Sequence, residues 1–244
     1  MEETTKPAEA AAQQEVERIL GSAGVSTYAY SDVAEAAGQI GTSYRESLGE
    51  TIWAVSLAIA LPNSVVDRLR PSSAEAAMLY KHHAYDVVNF RLDLVASHLA
   101  QAIQGGGFVA LPVPASQTVD RQALCSLFPH KTAAHLAGLG WIGKNCLLIT
   151  PQYGPRVRFA TVLTNLPLDP SAKRIESKCG TCTECVDICP VQAFTGRPFR
   201  ESEAREVRFS ASSCSEHLAA QEDRIGVDVC GLCLYICPFG RTHS

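Results

Sequence analysis

The chain has 244 residues, 46% of them hydrophobic and 19% charged, with a formal net charge of −4. That length allows one substantial core with a smaller appendage, and that composition excludes a disordered chain. The acidic balance removes the global positive field by which nucleic-acid binders collect phosphates, and leaves only a local basic patch as a route to RNA.

Residues 1–12 read as a polar tail, followed by a helix from about Gln13 to Leu20 that Gly21 ends. The opening stretch MEETTKPAEAAAQQE has no basic segment leading into an apolar one and no twin arginine, so the expected location is the cytoplasm. The most apolar window, residues 52–61 (IWAVSLAIAL), is far shorter than the ~20 residues of a membrane span. Its β-branched and aromatic content reads as a buried strand closed by Pro62. A long helix is expected over 73–104, where Ala77, Tyr80, Val87, Phe90, Leu94, Leu99 and Ile103 recur near helical spacing. Three consecutive glycines from Gly105 break it. Lys81, His82, His83 and His98 on this helix read as surface groups, because His82 and His98 lie too far apart for one site. Residues 108–113 read as a short strand, and 130–139 as a short helix with Pro129 near its start. Residues 145–150 (NCLLIT) and 156–164 (RVRFATVLT) read as two strands joined in a hairpin through Tyr153-Gly154-Pro155. The interleaved elements give a mixed α/β (α+β) domain over 13–170, reached by a linker at 166–172 from a small ferredoxin-like double-cluster domain over 171–244.

Eight of the ten cysteines fall between Cys179 and Cys237. The first run, Cys179-Gly-Thr-Cys182-Thr-Glu-Cys185-Val-Asp-Ile-Cys189-Pro190, has the C-x2-C-x2-C-x3-C-P spacing of bacterial ferredoxins, two-cluster ferredoxins among them. Three thiolates two residues apart can wrap one face of an iron–sulfur cubane from a tight loop, and the fourth comes from elsewhere. The second run, Cys230-Gly-Leu-Cys233-Leu-Tyr-Ile-Cys237-Pro238, is one cysteine short, and Cys214 upstream supplies it. In such proteins the last cysteine of each run serves the other cluster. One 4Fe–4S cluster is therefore assigned to Cys179, Cys182, Cys185 and Cys237, and the other to Cys189, Cys214, Cys230 and Cys233. Zinc is the competing reading, since two C-x2-C pairs can hold one ion. Two Cys-Pro endings and eight cysteines in interlocked quartets fit cubanes better. Of the two remaining cysteines, Cys146 reads as a small buried hydrophobe, and Cys125 sits in a less regular segment.

The segment Ala137-Gly-Leu-Gly-Trp-Ile-Gly-Lys-Asn145, followed by Leu147-Leu-Ile-Thr150, Arg156-Val-Arg158 and Val162-Leu-Thr164, is distinctive. With the cysteine order after it, it resembles the epoxyqueuosine reductase family, over residues 130–240. The resemblance implies a cobalamin beside two 4Fe–4S clusters, with electrons passing through the clusters to the corrinoid cobalt. It also implies reduction of the epoxide of a tRNA nucleoside and kinship with reductive dehalogenases. Physically, Gly138, Gly140 and Gly143 allow either close backbone approach to a large flat ligand or tight turns and close packing. Lys144 and Asn145 offer a cation and an amide to the edge of a ligand. Arg156 and Arg158 alternate on one strand face, toward the cofactor or toward solvent. Trp141 reads as core.

Two departures from the family pattern shape the reading. Where the family carries an Asp as general acid, this chain has Leu124 and Cys125. Asp120, His130 and Lys131 stand nearby as catalytic candidates for proton delivery. The chain also ends soon after Cys237, where longer relatives continue into a helical extension that helps hold tRNA. With the negative charge, these disfavour tRNA as substrate. The expected function is an iron–sulfur, corrinoid-dependent reductase of a small molecule or modified nucleoside, fed by a ferredoxin or flavodoxin. The alternatives are a two-cluster electron-transfer protein that serves or reactivates a partner corrinoid enzyme, and a structural or sensing iron–sulfur protein.

Overall fold

The computed structural model describes residues 5–71, 73–120 and 122–241. Contacts divide the chain into two compact units that interleave in sequence: residues 1–59, 88–139 and 158–174 in one, and 60–87, 140–157 and 175–244 in the other. The division is therefore not a single cut near residue 170. No helix among the described residues is long and apolar enough to cross a membrane.

The first unit is built on a four-stranded sheet of order β1-β2-β6-β3, from β1 (Thr27–Asp32), β2 (Trp53–Ala60), β3 (Ala110–Val113) and β6 (Val157–Thr164). The pairs β1/β2 and β3/β6 are antiparallel. Residues 54–59 of β2 are buried without alternation, so both faces of that strand are covered. Helix α1 (Thr5–Ser22) packs on α5 (Asn89–Gly105), α5 packs on β3, and α6 (His130–Leu136) packs on β1. Val33, Ile40, Leu48, Ile52, Phe128 and Leu163 share one apolar cluster. Helix α1 starts at Thr5, so the expected polar tail is helical from there, and residues 1–4 lie outside the described residues. Its buried stripe of Ala12, Val16, Ile19 and Leu20 supplies the packing that extends it.

The second unit contains α3 (Asn63–Val66), α4 (Ala74–Lys81), the hairpin of β4 (Trp141–Ile142) and β5 (Leu148–Ile149), and helices α7 (Glu184–Asp187), α8 (Ala211–Ile225) and α9 (Leu232–Tyr235). Strand β5 pairs with β4 and β6 lies in the larger sheet, so the expected hairpin across Tyr153-Gly154-Pro155 does not form. A tight turn bridging Thr150 and Gly154 takes its place.

Between α4 and α5 the chain forms a π-helical stretch, His82–Val88. Its wider turn moves the buried face to steps of four, through Tyr80, Ala84, Val88, Leu92 and Ala96. Phe90 and Leu94, expected on the inner face, are therefore exposed at 60% and 55%. His82, beside Asp86, and His98 are both exposed, as surface groups should be.

A methyl group on Gly140 would overlap the carbonyl of Ile149 across the β4–β5 hairpin. Gly140→Ala should lower stability by about 1–3 kcal/mol, read as a fall in apparent melting temperature at fixed scan rate. Gly21→Ala, in open space on α1, should be neutral or slightly stabilising and serves as the control.

Candidate metal centre

The first cysteine loop is set by its backbone. Gly180 adopts φ +48 with open space beside it, so its backbone conformation, rather than crowding, favours glycine. In the second loop Gly231 stands directly before α9, where Thr183 stands before α7; its φ is +73, and a methyl group there would press on Leu69 and Tyr80. After each glycine comes a single helical turn, α7 carrying Cys185 and α9 carrying Cys233, and these two turns pack together. Each ends shortly before a Cys-Pro pair, Cys189-Pro190 or Cys237-Pro238.

Cys179, Cys182, Cys185 and Cys237 line one pocket, with Lys144, Asn145, Ile149, Pro238 and Phe239. Burial first, then the nearness of Cys179, Cys237 and Cys182, pushes the Cys185 thiol up to about 11. The Cys237 thiol is pushed up to about 11, again chiefly by burial. The second set gathers in the same way. The Cys214 thiol is raised by burial and by Cys230 and Cys189, and Cys230 by burial and Cys189. Cys233 is driven up by burial, then by Cys230, Cys214, Cys185 and Cys189. Cys185 is the member of the first set that reaches Cys233, through the packed turns α7 and α9.

Thiols in such surroundings ionise only with a compensating cation, which a bound metal supplies. Among the described residues no three His, Cys, Asp or Glu side chains converge closely enough to hold a single ion.

Cys214 reaches its place through a loop closed by the Phe194–Phe209 pair, whose rings stack at 5.1 Å. Ser210 then caps α8 by accepting from the Ser213 N–H, which puts Cys214 on the first turn. Helix α8 lay outside the sequence reading, although Ser210 at its start and Gly226 at its end, φ +78, were usable signals.

The residues assigned to a corrinoid from sequence do other work. Gly138 faces Ala172 and Lys173, and Gly143 faces Ile149 and Asn145, so with Gly140 all three glycines serve close packing. Lys144 donates to the carbonyls of Gly180 and Cys182 at 2.8 and 3.0 Å, bracing the first cysteine loop. Asn145 donates to the Cys233 carbonyl at 3.1 Å and accepts from the Leu147 N–H, bracing the second. Arg156 is 2% exposed, donates to Asn63, and pairs with Asp67 at 2.7 Å. Arg158 donates to Asn89 at 3.0 Å. Trp141, 1% exposed, is core as expected, meeting Phe239 edge-on at 4.8 Å against Ile149 and Cys237. Cys146 is buried with its sulfur 3.8 Å from Arg208, and Cys125 is exposed.

The catalytic candidates lie in the first unit. The Pro114 carbonyl can only accept, so His130 donates to it from Nε2 at 2.9 Å, and Nδ1 accepts from the Thr161 hydroxyl at 2.9 Å. Burial, followed in smaller part by Arg158, pushes this imidazole down to about 4. His130 is thus held between Pro114 and Thr161 with its imidazole neutral near pH 7. Asp120 accepts from the N–H groups of Gln122 and Ala123, which ties its carboxylate to its own turn. Lys131 sits half-buried in the first turn of α6.

Two measurements follow from this geometry. Cys214→Ser should remove one cluster and spare the other, halving iron from roughly eight to roughly four per chain. The folded His130 pKa lies below the ordinary 6.5, so the unfolded chain binds the proton more readily. Its contribution is intact above 6.5 and is lost as pH falls toward about 4, by up to roughly 3 kcal/mol. His130→Asn should flatten that part of the stability–pH curve.

Residues 178–240 match the 4Fe-4S double cluster binding domain family. An epoxyqueuosine reductase of Bacillus subtilis is 27% identical over 194 residues, covering 77% of this chain and 47% of the relative. This chain spans about half or less of the length of the curated relatives it matches. A crystal structure of an epoxyqueuosine reductase with a modified tRNA stem loop shares the fold, with a TM-score of 0.60 at 20% identity over 96% of this chain and 66% of that one. A reductive dehalogenase described with a B12-dependent mechanism does so with a TM-score of 0.59 at 20% identity, over 79% and 26%. The chain is thus a sequence relative of the epoxyqueuosine reductases, shares their fold, and carries a 4Fe–4S double cluster binding domain in its last third.

Proposed function

We propose that the chain is an iron–sulfur oxidoreductase that passes single electrons at low potential through two adjacent 4Fe–4S clusters to a reducible small molecule or modified nucleoside. The observation that carries this reading is the grouping of eight cysteines into two interlocked sets, joined where α7 meets α9. A cysteine handed from each run to the other set holds both clusters within one small fold, which suits electron hopping. Cys179, Cys182, Cys185 and Cys237 would hold one cluster, and Cys189, Cys214, Cys230 and Cys233 the other. The relationship to epoxyqueuosine reductases supports a reductase over a purely structural role.

Corrinoid dependence is the finer part of the proposal. It draws on the fold shared with a B12-dependent dehalogenase. Lys144, Asn145, Arg156 and Arg158 each hold protein groups as well. A relative has been solved with a tRNA stem loop, while a net charge of −4 gives this chain no global attraction to phosphates. A small molecule or free modified nucleoside is the preferred acceptor, and a ferredoxin or flavodoxin the preferred donor.

Anaerobic protein titrated with dithionite should show two clusters, each taking one electron, with midpoints on the order of −400 mV. Stoichiometric zinc without iron or sulfide would overturn the proposal. Hydroxocobalamin added to the same protein tests the finer part. Saturable binding with a base-off spectrum supports it, and none at tens of micromolar leaves a cluster-only reductase.

A further inference from the structure

A second cavity, of about 340 Å³, lies in the second unit beside the cluster set of Cys230, between the start of α4 and the outer half of α8. That volume falls within the range of small-ligand pockets. Cys230 itself forms part of the wall, with an apolar floor that includes Ala77, Ile225 and Leu232. Its charged lining consists of Arg70 and Arg224, and no carboxylate lines it among the described residues.

These groups are organised. Arg70 donates from Nη1 to the carbonyls of Asp67 and Leu69, and its guanidinium lies 4.8 Å from the Tyr235 ring. Arg224 donates from Nε and Nη2 to the side-chain oxygen of buried Gln221, which orients both groups on α8. His217, one turn earlier on the same helix, also lines the cavity, and its Nε2 is buried with no hydrogen-bond partner. A buried polar atom without a partner is costly, and a bound ligand is one way of satisfying it.

We propose that this cavity binds a small organic anion, a carboxylate or phosphate group on a compact apolar body, beside the cluster held by Cys230. The two guanidiniums recognise the charge, His217 Nε2 and the Gln221 amide complete its hydrogen bonds, and the apolar floor takes the body. Occupancy carries a redox consequence, which rests on the two-cluster reading above. Four thiolates leave a cluster electron-rich, and cations beside it favour the reduced state. An anion that neutralises Arg70 and Arg224 withdraws that support, so binding lowers the potential of this cluster. By linkage, reduction of the cluster weakens binding of the anion.

The test uses the anaerobic chain with both clusters, titrated calorimetrically with benzoate, inorganic phosphate and neutral benzamide. Saturable binding of benzoate with a Kd below about 1 mM, no binding of benzamide, and a weakening of at least about tenfold in Arg224→Gln support the site. Binding of phosphate in place of benzoate supports it and identifies a phosphoryl ligand. Arg224 is exposed, so its replacement leaves the core intact, and unchanged iron content verifies this. His217→Phe is the second variant and should also weaken binding. The midpoint of one cluster should become more negative when ligand is present. No saturable binding of either anion up to about 10 mM, equal affinity in both variants, equal binding of benzamide, or an unmoved midpoint on binding would each overturn the proposal. Iron and sulfide analysis of the same samples reports separately whether the clusters are present.

Discussion

Four thiolates gathered around one small pocket repel one another, and burial makes each of them harder to ionise. Both effects act on Cys185, whose thiol is pushed up to about 11 by burial and by its three neighbours. A protein holds such groups together only if something cationic occupies the centre. The C-terminal third is arranged around that requirement. Its two cysteine loops carry glycines at positive φ, its two single-turn helices pack together, and Trp141 and Phe239 cover Cys237.

The residues just before this region, which the family resemblance marks as distinctive, act on the same requirement from outside. Lys144 holds two carbonyls of the first loop and Asn145 holds one of the second. A cation beside the first pocket also offsets the charge of its thiolates and so favours the reduced cluster. Residues 140–145 of this segment therefore clamp the cluster loops: Gly140 admits the backbone of Ile149, Trp141 shields, and Lys144 and Asn145 tie.

Much of this was legible because ligand spacing along a loop is set by covalent geometry. C-x2-C-x2-C-x3-C-P constrains which thiols can share a cubane, and Cys214 could be found by counting. Other features depend on partners distant in sequence. The closing of Thr161 and Pro114 on both ring nitrogens of His130 is one of them. Gly138, Gly140 and Gly143 show in sequence only that a side chain is missing; whether ligand or protein fills the space is a matter of packing. The 145–150 strand found its partner in β4 rather than β6, a tertiary choice that turn residues alone do not determine. The π-helical stretch His82–Val88 rotated the buried face, and Phe90 and Leu94, which fit an uninterrupted helical period, came out on the surface.

The central claim is the exchange of cysteines between the two sets, and it is tested most directly by EPR of reduced single-cysteine variants. Cys237→Ser should perturb the same cluster signal as Cys179→Ser, although Cys237 lies in the second run. Cys189→Ser should perturb the signal altered by Cys230→Ser. If Cys237→Ser instead altered the signal of Cys230 and Cys233, each run would hold its own cluster, and this account of the site would be wrong.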